Sequence, residues 1–123
     1  MLKITIPIAL PSQNSYIGRS HWKLVGDKKK FENAVGLAFL IAKANGHVPP
    51  QFVPPCSEPR TIKVVTYRHR LLDQDNVSTK ALFDVLKKLE MIRDDSPKWL
   101  TIDSVIQQHV VKKEQARTEI TLW

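Results

Sequence analysis

The first ten residues carry an apolar side chain at every second position, Leu2, Ile4, Ile6, Ile8 and Leu10. That period belongs to a half-buried strand, because successive side chains of extended backbone point to opposite faces. A strand with one greasy face cannot stand alone, so the chain must supply partner strands and a layer to cover them. Pro7 falls on the outward set and, lacking an N–H, suits an edge strand. Residues 62 to 69, rich in Val64, Val65, Thr66 and Tyr67, have strand composition, and two more strands fit 100 to 111 and 117 to 123, joined by the polar turn Lys112-Lys113-Glu114-Gln115.

Between these segments the period changes. A helix is expected over 27 to 45, with Asp27 as N-cap, Phe31, Val35, Ala38 and Ile41 as its buried stripe, and Asn45-Gly46 as its stop. A second helix is expected over 77 to 91, where Leu82, Val85, Leu86 and Leu89 form the apolar stripe and Lys80, Asp84 and Lys87 fall on another face. Residues 11 to 25 read as a loop, and residues 47 to 59, with five prolines and Cys56, as an extended surface loop. The order is strand-helix-strand-helix-strand-strand. The expected fold is α+β: one small domain over residues 1–123, with a mixed sheet of about four strands and two main helices.

Composition bounds the function. No apolar run approaches the ~20 residues of a membrane span, and the N-terminus lacks the charged-then-apolar layout of a signal peptide. A single cysteine leaves no internal disulfide and no cysteine zinc cluster. These features read as a cytoplasmic protein. Nineteen Lys+Arg against twelve Asp+Glu give a formal charge of +7, which favours a polyanionic partner through counterion release. Solvated lysines give the same balance, so charge alone does not decide. Arg19, His21, Trp22 and Lys23, with Asn14 and Tyr16, make the first loop rich in groups that grip nucleic acid. Trp22 in that loop is a core or interface residue or a candidate wedge between bases, and Lys28-Lys29-Lys30 either tracks phosphates or is a solvated helix start. The four histidines are scattered without metal-ligand spacing.

The acids are not scattered. A basic strand end, Arg68-His69-Arg70, runs into Asp73-Gln74-Asp75-Asn76, Lys80 follows on the helix, and Asp94-Asp95 come just past its end. Asp73 and Asp75 lie on the same side of extended backbone and can share an ion. Mg²⁺ takes oxygen ligands, commonly one or two carboxylates with phosphate and water. Such an ion relieves the repulsion between close carboxylates and admits a DNA phosphate. Lys80 can add positive charge toward a pentacovalent transition state. A helix of ~15 residues spans ~22 Å, so Asp95 reaches Asp75 only if the chain after the helix folds back. Plainer readings stand beside this one. Asp75 and Asn76 serve as helix caps, Asp94-Asp95-Ser96-Pro97 as a turn, Lys80 and Asp84 as an i,i+4 pair, and Asp103 as an exposed strand position.

As a set, D-x-D-N (73 to 76), Lys80, F-D-x-L (83 to 86), D-D-S (94 to 96) and the opening Pro11-Ser12-Gln13-Asn14 with Tyr16 resemble the RusA-type Holliday-junction resolvases, many of them prophage-encoded. Carried over position by position, the resemblance implies that Asp73, Asp75 and Asp95 bind a divalent metal and act with Lys80 in catalysis. It implies Mg²⁺, with Mn²⁺ as substitute, no organic cofactor, and a homodimer whose two sites nick opposed strands of a four-way DNA junction in recombination and repair. Asn14, Tyr16, Arg19, Arg68, Arg70 and Lys98 are then the candidate DNA contacts. The gap from Asp75 to Lys80 is one residue longer than the family's usual form, which turns Lys80 by ~100° unless the helix starts differently. The rival readings are a non-catalytic DNA-binding protein and a metal-dependent nucleotide or RNA hydrolase.

Overall fold

The computed structural model describes residues 1–10, 21–73 and 77–123, with the side chains of 21–28 excepted. Its elements run β1 (Leu2–Ile6), α1 (His21–Ala44), β2 (Arg60–Arg68), α2 (Lys80–Lys88), β3 (Leu100–His109) and β4 (Arg117–Leu122), with short 3-10 turns at Pro50–Phe52 and Lys113–Gln115. The fold is the expected α+β arrangement, a four-stranded mixed sheet and two helices. Strand order is β1-β4-β2-β3. β4 pairs antiparallel with both β1 and β2, while β3 lies parallel to β2. A parallel neighbour requires a crossover, and α2 supplies it.

Alternation decides which face is covered. Leu2, Ile4 and Ile6 of β1, Ile62 and Val64 of β2, and Ile120 and Leu122 of β4 are all buried on one face. Against them pack Phe31, Val35, Ala38 and Phe39 of α1 and Ala81, Leu82, Val85 and Leu86 of α2. Each large aliphatic removed from water there stabilises the fold by roughly 1.5–3 kcal/mol before entropy is counted. Two buried hydroxyls in this layer are satisfied rather than wasted. The Thr66 hydroxyl accepts from the Leu10 N–H at 2.9 Å, and Thr118 donates to the Ile8 carbonyl at 2.7 Å. These bonds lash residues 8 to 10 to the end of the sheet where β2 finishes and β4 begins.

Several sequence expectations are corrected. β1 stops at Ile6, before Pro7. α1 starts at His21, so residues 21 to 25 belong to it and Asp27 lies within the helix instead of capping it. Its buried stripe is Phe31, Val35, Ala38, Phe39 and Ala42, while Ile41 is 53% exposed together with Leu37 and Leu40. The spacing of Ile41 fits either side of the stripe, and the burial of Phe39 and Ala42 shows which way the helix is rotated. The proline-rich segment is not wholly superficial, because Phe52 and Cys56 are buried. Arg60 of β2, itself 8% exposed, stacks its guanidinium 4.3 Å from the Phe52 ring centroid. α2 is shorter than expected, with Thr79 at its N-cap position, so Asp75 and Asn76 do not occupy the cap.

Candidate functional site

Two chain segments meet at α2, and the second meets it because of how the helix ends. Glu90 has φ 58°, a left-handed conformation that usually calls for glycine. The Met91 N–H reaches back to the Leu86 carbonyl at 2.9 Å and the Glu90 N–H to the Lys87 carbonyl at 3.0 Å, the paired bonds of a Schellman cap. Met91 and Ile92, each 1% exposed, then plug into the core and reverse the chain. The reversal brings Asp95 back alongside the helix, with its Oδ1 3.3 Å from Lys87 Nζ. This is the fold-back that the sequence required for Asp95 to approach the preceding loop.

The ammonium of Lys87 stands between two acids, because Asp84 Oδ1 lies 3.7 Å from it. Asp84 thus has an i,i+3 partner in Lys87, where an i,i+4 pair with Lys80 was expected. The Asp95 carboxylate beside it holds the Lys87 ammonium above its ordinary pKa. The two adjacent acids differ in placement. Asp95 lines the same pocket as Lys80, whereas Asp94 does not. The Ser96 side chain and the Asp95 backbone, by hydrogen bonding to Asp94, keep its carboxyl below the usual carboxylate range.

That pocket is an open surface cleft of about 560 Å³, lined by Lys80, Asp84, Lys87 and Asp95, with Phe83 and residues 77 to 79. Lys80 is the first residue of α2 and exposed. With no acid in the first turn of the helix, its ammonium adds to the positive end of the helix dipole instead of being offset by a carboxylate. Local rules favour Asp or Glu there, and Lys80 departs from them.

Before the helix, the backbone of Leu72 is clamped to β3. Its N–H donates to Gln107 Oε1 at 2.9 Å and its carbonyl accepts from Gln107 Nε2 at 2.8 Å. Asp73 follows this clamp directly and is exposed, and it is not among the residues lining the pocket. Asp75 lies outside the described residues, two positions before Val77, which does line it. Among the described residues no three of His, Cys, Asp or Glu are grouped to hold a metal. Asp84 and Asp95 lie 3.7 Å and 3.3 Å from the Lys87 ammonium, and Mg²⁺ commonly takes one or two carboxylates together with phosphate oxygens and water. Two such carboxylates, completed by phosphate and water, are a donor set of the kind a hard divalent ion takes.

The candidate DNA contacts separate. Arg68, at the end of β2, is half-buried and directs its guanidinium to the carbonyls of Leu10 and Arg70. Burial pushes its pKa below the ordinary value. Arg70 is exposed beside it. At the same sheet end His109 pairs with Arg68, and Arg117 lies 3.8 Å over the Tyr67 ring centroid. Lys112 and Lys113 follow β3 there and are exposed. Lys98 sits at the other end of β3, near Trp99, whose ring also carries Arg93 at 4.5 Å. Asn14, Tyr16 and Arg19 lie outside the described residues. Gln107 and the bridging position of Lys87 were not legible beforehand. A glutamine in a strand carries no mark of a clamp, and Lys87 read only as part of a polar face. No protein-family model matches the chain, and no curated protein matches it.

Proposed function

We propose that the protein is a Mg²⁺-dependent endonuclease of the RusA type that resolves four-way DNA junctions by paired nicks and acts as a homodimer in the cytoplasm. The observation that carries the reading is that Asp95 and Lys80, from opposite ends of α2, line one pocket with Asp84. A mere turn at Asp94-Asp95 and a mere surface lysine have no need to share a cleft. Val77, the next residue in sequence after the D-x-D-N segment, lines the same pocket. No helix among the described residues is long and apolar enough to cross a membrane, which suits an enzyme that works on DNA.

In this reading Asp95 and Asp75 hold the ion, with Asp73 as a further ligand from the same loop and Asp84 close by. Bound there, Mg²⁺ supplies charge neutralisation at the scissile phosphate and a more acidic water, with Mn²⁺ as a substitute. Lys80 and the N-terminus of α2 offer positive charge to the phosphate as negative charge accumulates on its equatorial oxygens. Arg70, Lys112 and Lys113 supply a positive sheet end along which a duplex arm can lie. Arg68, occupied with two carbonyls, shapes this end more than it contacts phosphate.

The test is cleavage. Purified protein with Mg²⁺ is expected to cut a synthetic four-way junction at symmetric, paired positions, and linear duplex far more slowly. Junction binding with no cutting in Mg²⁺ or Mn²⁺ leaves a DNA-binding protein, and cutting of RNA or nucleotides in preference to junctions leaves a different hydrolase.

A further inference from the structure

Within the pocket the carboxylates of Asp84 and Asp95 share one partner. That partner is a side chain. Lys87 Nζ lies 3.3 Å from Asp95 Oδ1 and 3.7 Å from Asp84 Oδ1, so one ammonium bridges acids from two separate segments. Its sequence neighbour behaves differently: Lys88 Nζ points away to Glu32 of α1, at 2.6 Å, and ties the two helices together. Helical geometry explains the division, since adjacent residues are turned by ~100°. Lys87 falls on the pocket face with Lys80 and Asp84, and Lys88 on the face toward α1.

We propose that Lys87 is the resident counter-ion of the site: it holds Asp84 and Asp95 together in the metal-free protein, yields its place to a divalent cation, and thereby sets the affinity at which that cation enters. This inference rests on the pocket being a Mg²⁺ site. Close carboxylates repel one another, and a bridging ammonium removes that repulsion without closing the cleft. A lysine suits the part, because its compact charge rides on a flexible four-carbon stem that can swing outward. The residue is a positioning and competing group, not a catalytic one. Its ammonium and the incoming ion favour the same oxygens, so one leaves as the other binds.

Competition has a measurable sign. Two unit charges ~4 Å apart in a water-like medium interact strongly enough to change an equilibrium roughly fivefold, and a divalent ion feels about the square of that. Titration calorimetry of the protein with Mn²⁺ alone, at low ionic strength, is therefore expected to show binding roughly 25-fold tighter in Lys87→Met than in wild type. Lys87→Arg should stay near the wild-type value because it keeps the charge. Lys88→Met should also stay near it, because that ammonium faces Glu32. Adding Asp84→Asn to Lys87→Met should remove much of the gain. Lys87→Gln, checked for native circular dichroism, repeats the test in case the methionine variant folds poorly. If folded Lys87→Met and Lys87→Gln bind Mn²⁺ no more tightly than wild type, the counter-ion role is wrong while the metal site stands. If wild type and every variant fail to bind Mn²⁺ at millimolar concentration, the metal site itself is wrong, and the role of Lys87 with it.

Discussion

Asp95→Asn is expected to abolish Mg²⁺-dependent junction cutting, by roughly 10²-fold or more, while junction binding persists or tightens. The amide keeps the size and hydrogen-bonding reach of the carboxylate but removes a negative charge from the pocket. Loss of a charged ligand weakens the hold on a divalent ion, and several kcal/mol of transition-state stabilisation go with it. Binding moves the other way because phosphate then meets one acid fewer at the mouth of the cleft. Asp94→Asn, one residue earlier and not lining the pocket, serves as the control and should cut nearly as wild type does. Parallel gel-shift and cleavage measurements on the same junction separate the two effects. Normal cutting by Asp95→Asn contradicts the mechanism.

The second large effect concerns stability. Leu86→Ala is expected to lower the unfolding free energy by about 3 kcal/mol, within the range for emptying a fully buried leucine site. Leu86 is 0% exposed and packs in the core. Its carbonyl also receives the Met91 N–H that reverses the chain after α2. For a domain of this size the loss corresponds to roughly 10 °C in Tm, a large part of a total stability of about 5–15 kcal/mol. Thermal unfolding followed by circular dichroism measures it. A change below about 1 kcal/mol would mean that the core around α2 repacks freely, which would also undercut the fixed return of Asp95.

The sheet was legible because it obeys a short-range rule. Alternation at Leu2 to Ile6, and again along β2 and β4, names the buried face without knowledge of the partners. What alternation cannot give is the pairing. Nothing local says that β4 inserts between β1 and β2, since a strand's neighbour is chosen by long-range burial and connection geometry. The extent of α1 was missed at its start because turn-forming residues before His21 made the whole stretch read as loop, and Asp27 offered a plausible but unused cap. β3 kept only Leu100 fully buried, although Ile102, Val105 and Ile106 have strand composition. It lies at the edge of the described sheet, where the helices do not cover it.

The site was legible in kind and only partly in place. Acids flanking a helix with a lysine at its start are visible in the sequence, and Lys80, Asp84 and Lys87 do share a face as their spacing requires. The return of Asp95 depends on Glu90 adopting a left-handed conformation with no glycine to announce it. The clamp of Leu72 by Gln107 joins residues far apart in the chain, which no local pattern records. The separation of Lys98 from Arg70 follows from β3 lying parallel to β2, so that the residues before β3 sit at the opposite end of the sheet from those after β2.

The central claim is that carboxylates from before and after α2 grip one ion. Iron-directed backbone cleavage addresses it most directly: Fe²⁺ loaded in place of Mg²⁺, with ascorbate and peroxide, generates radicals that cut only the chain nearest the metal. The expected fragments map to two stretches at once, residues 73 to 76 and the turn around Asp95, and excess Mg²⁺ suppresses both together. Cuts at one stretch alone, or cuts at the two that Mg²⁺ suppresses at different concentrations, would show that no common ion joins them.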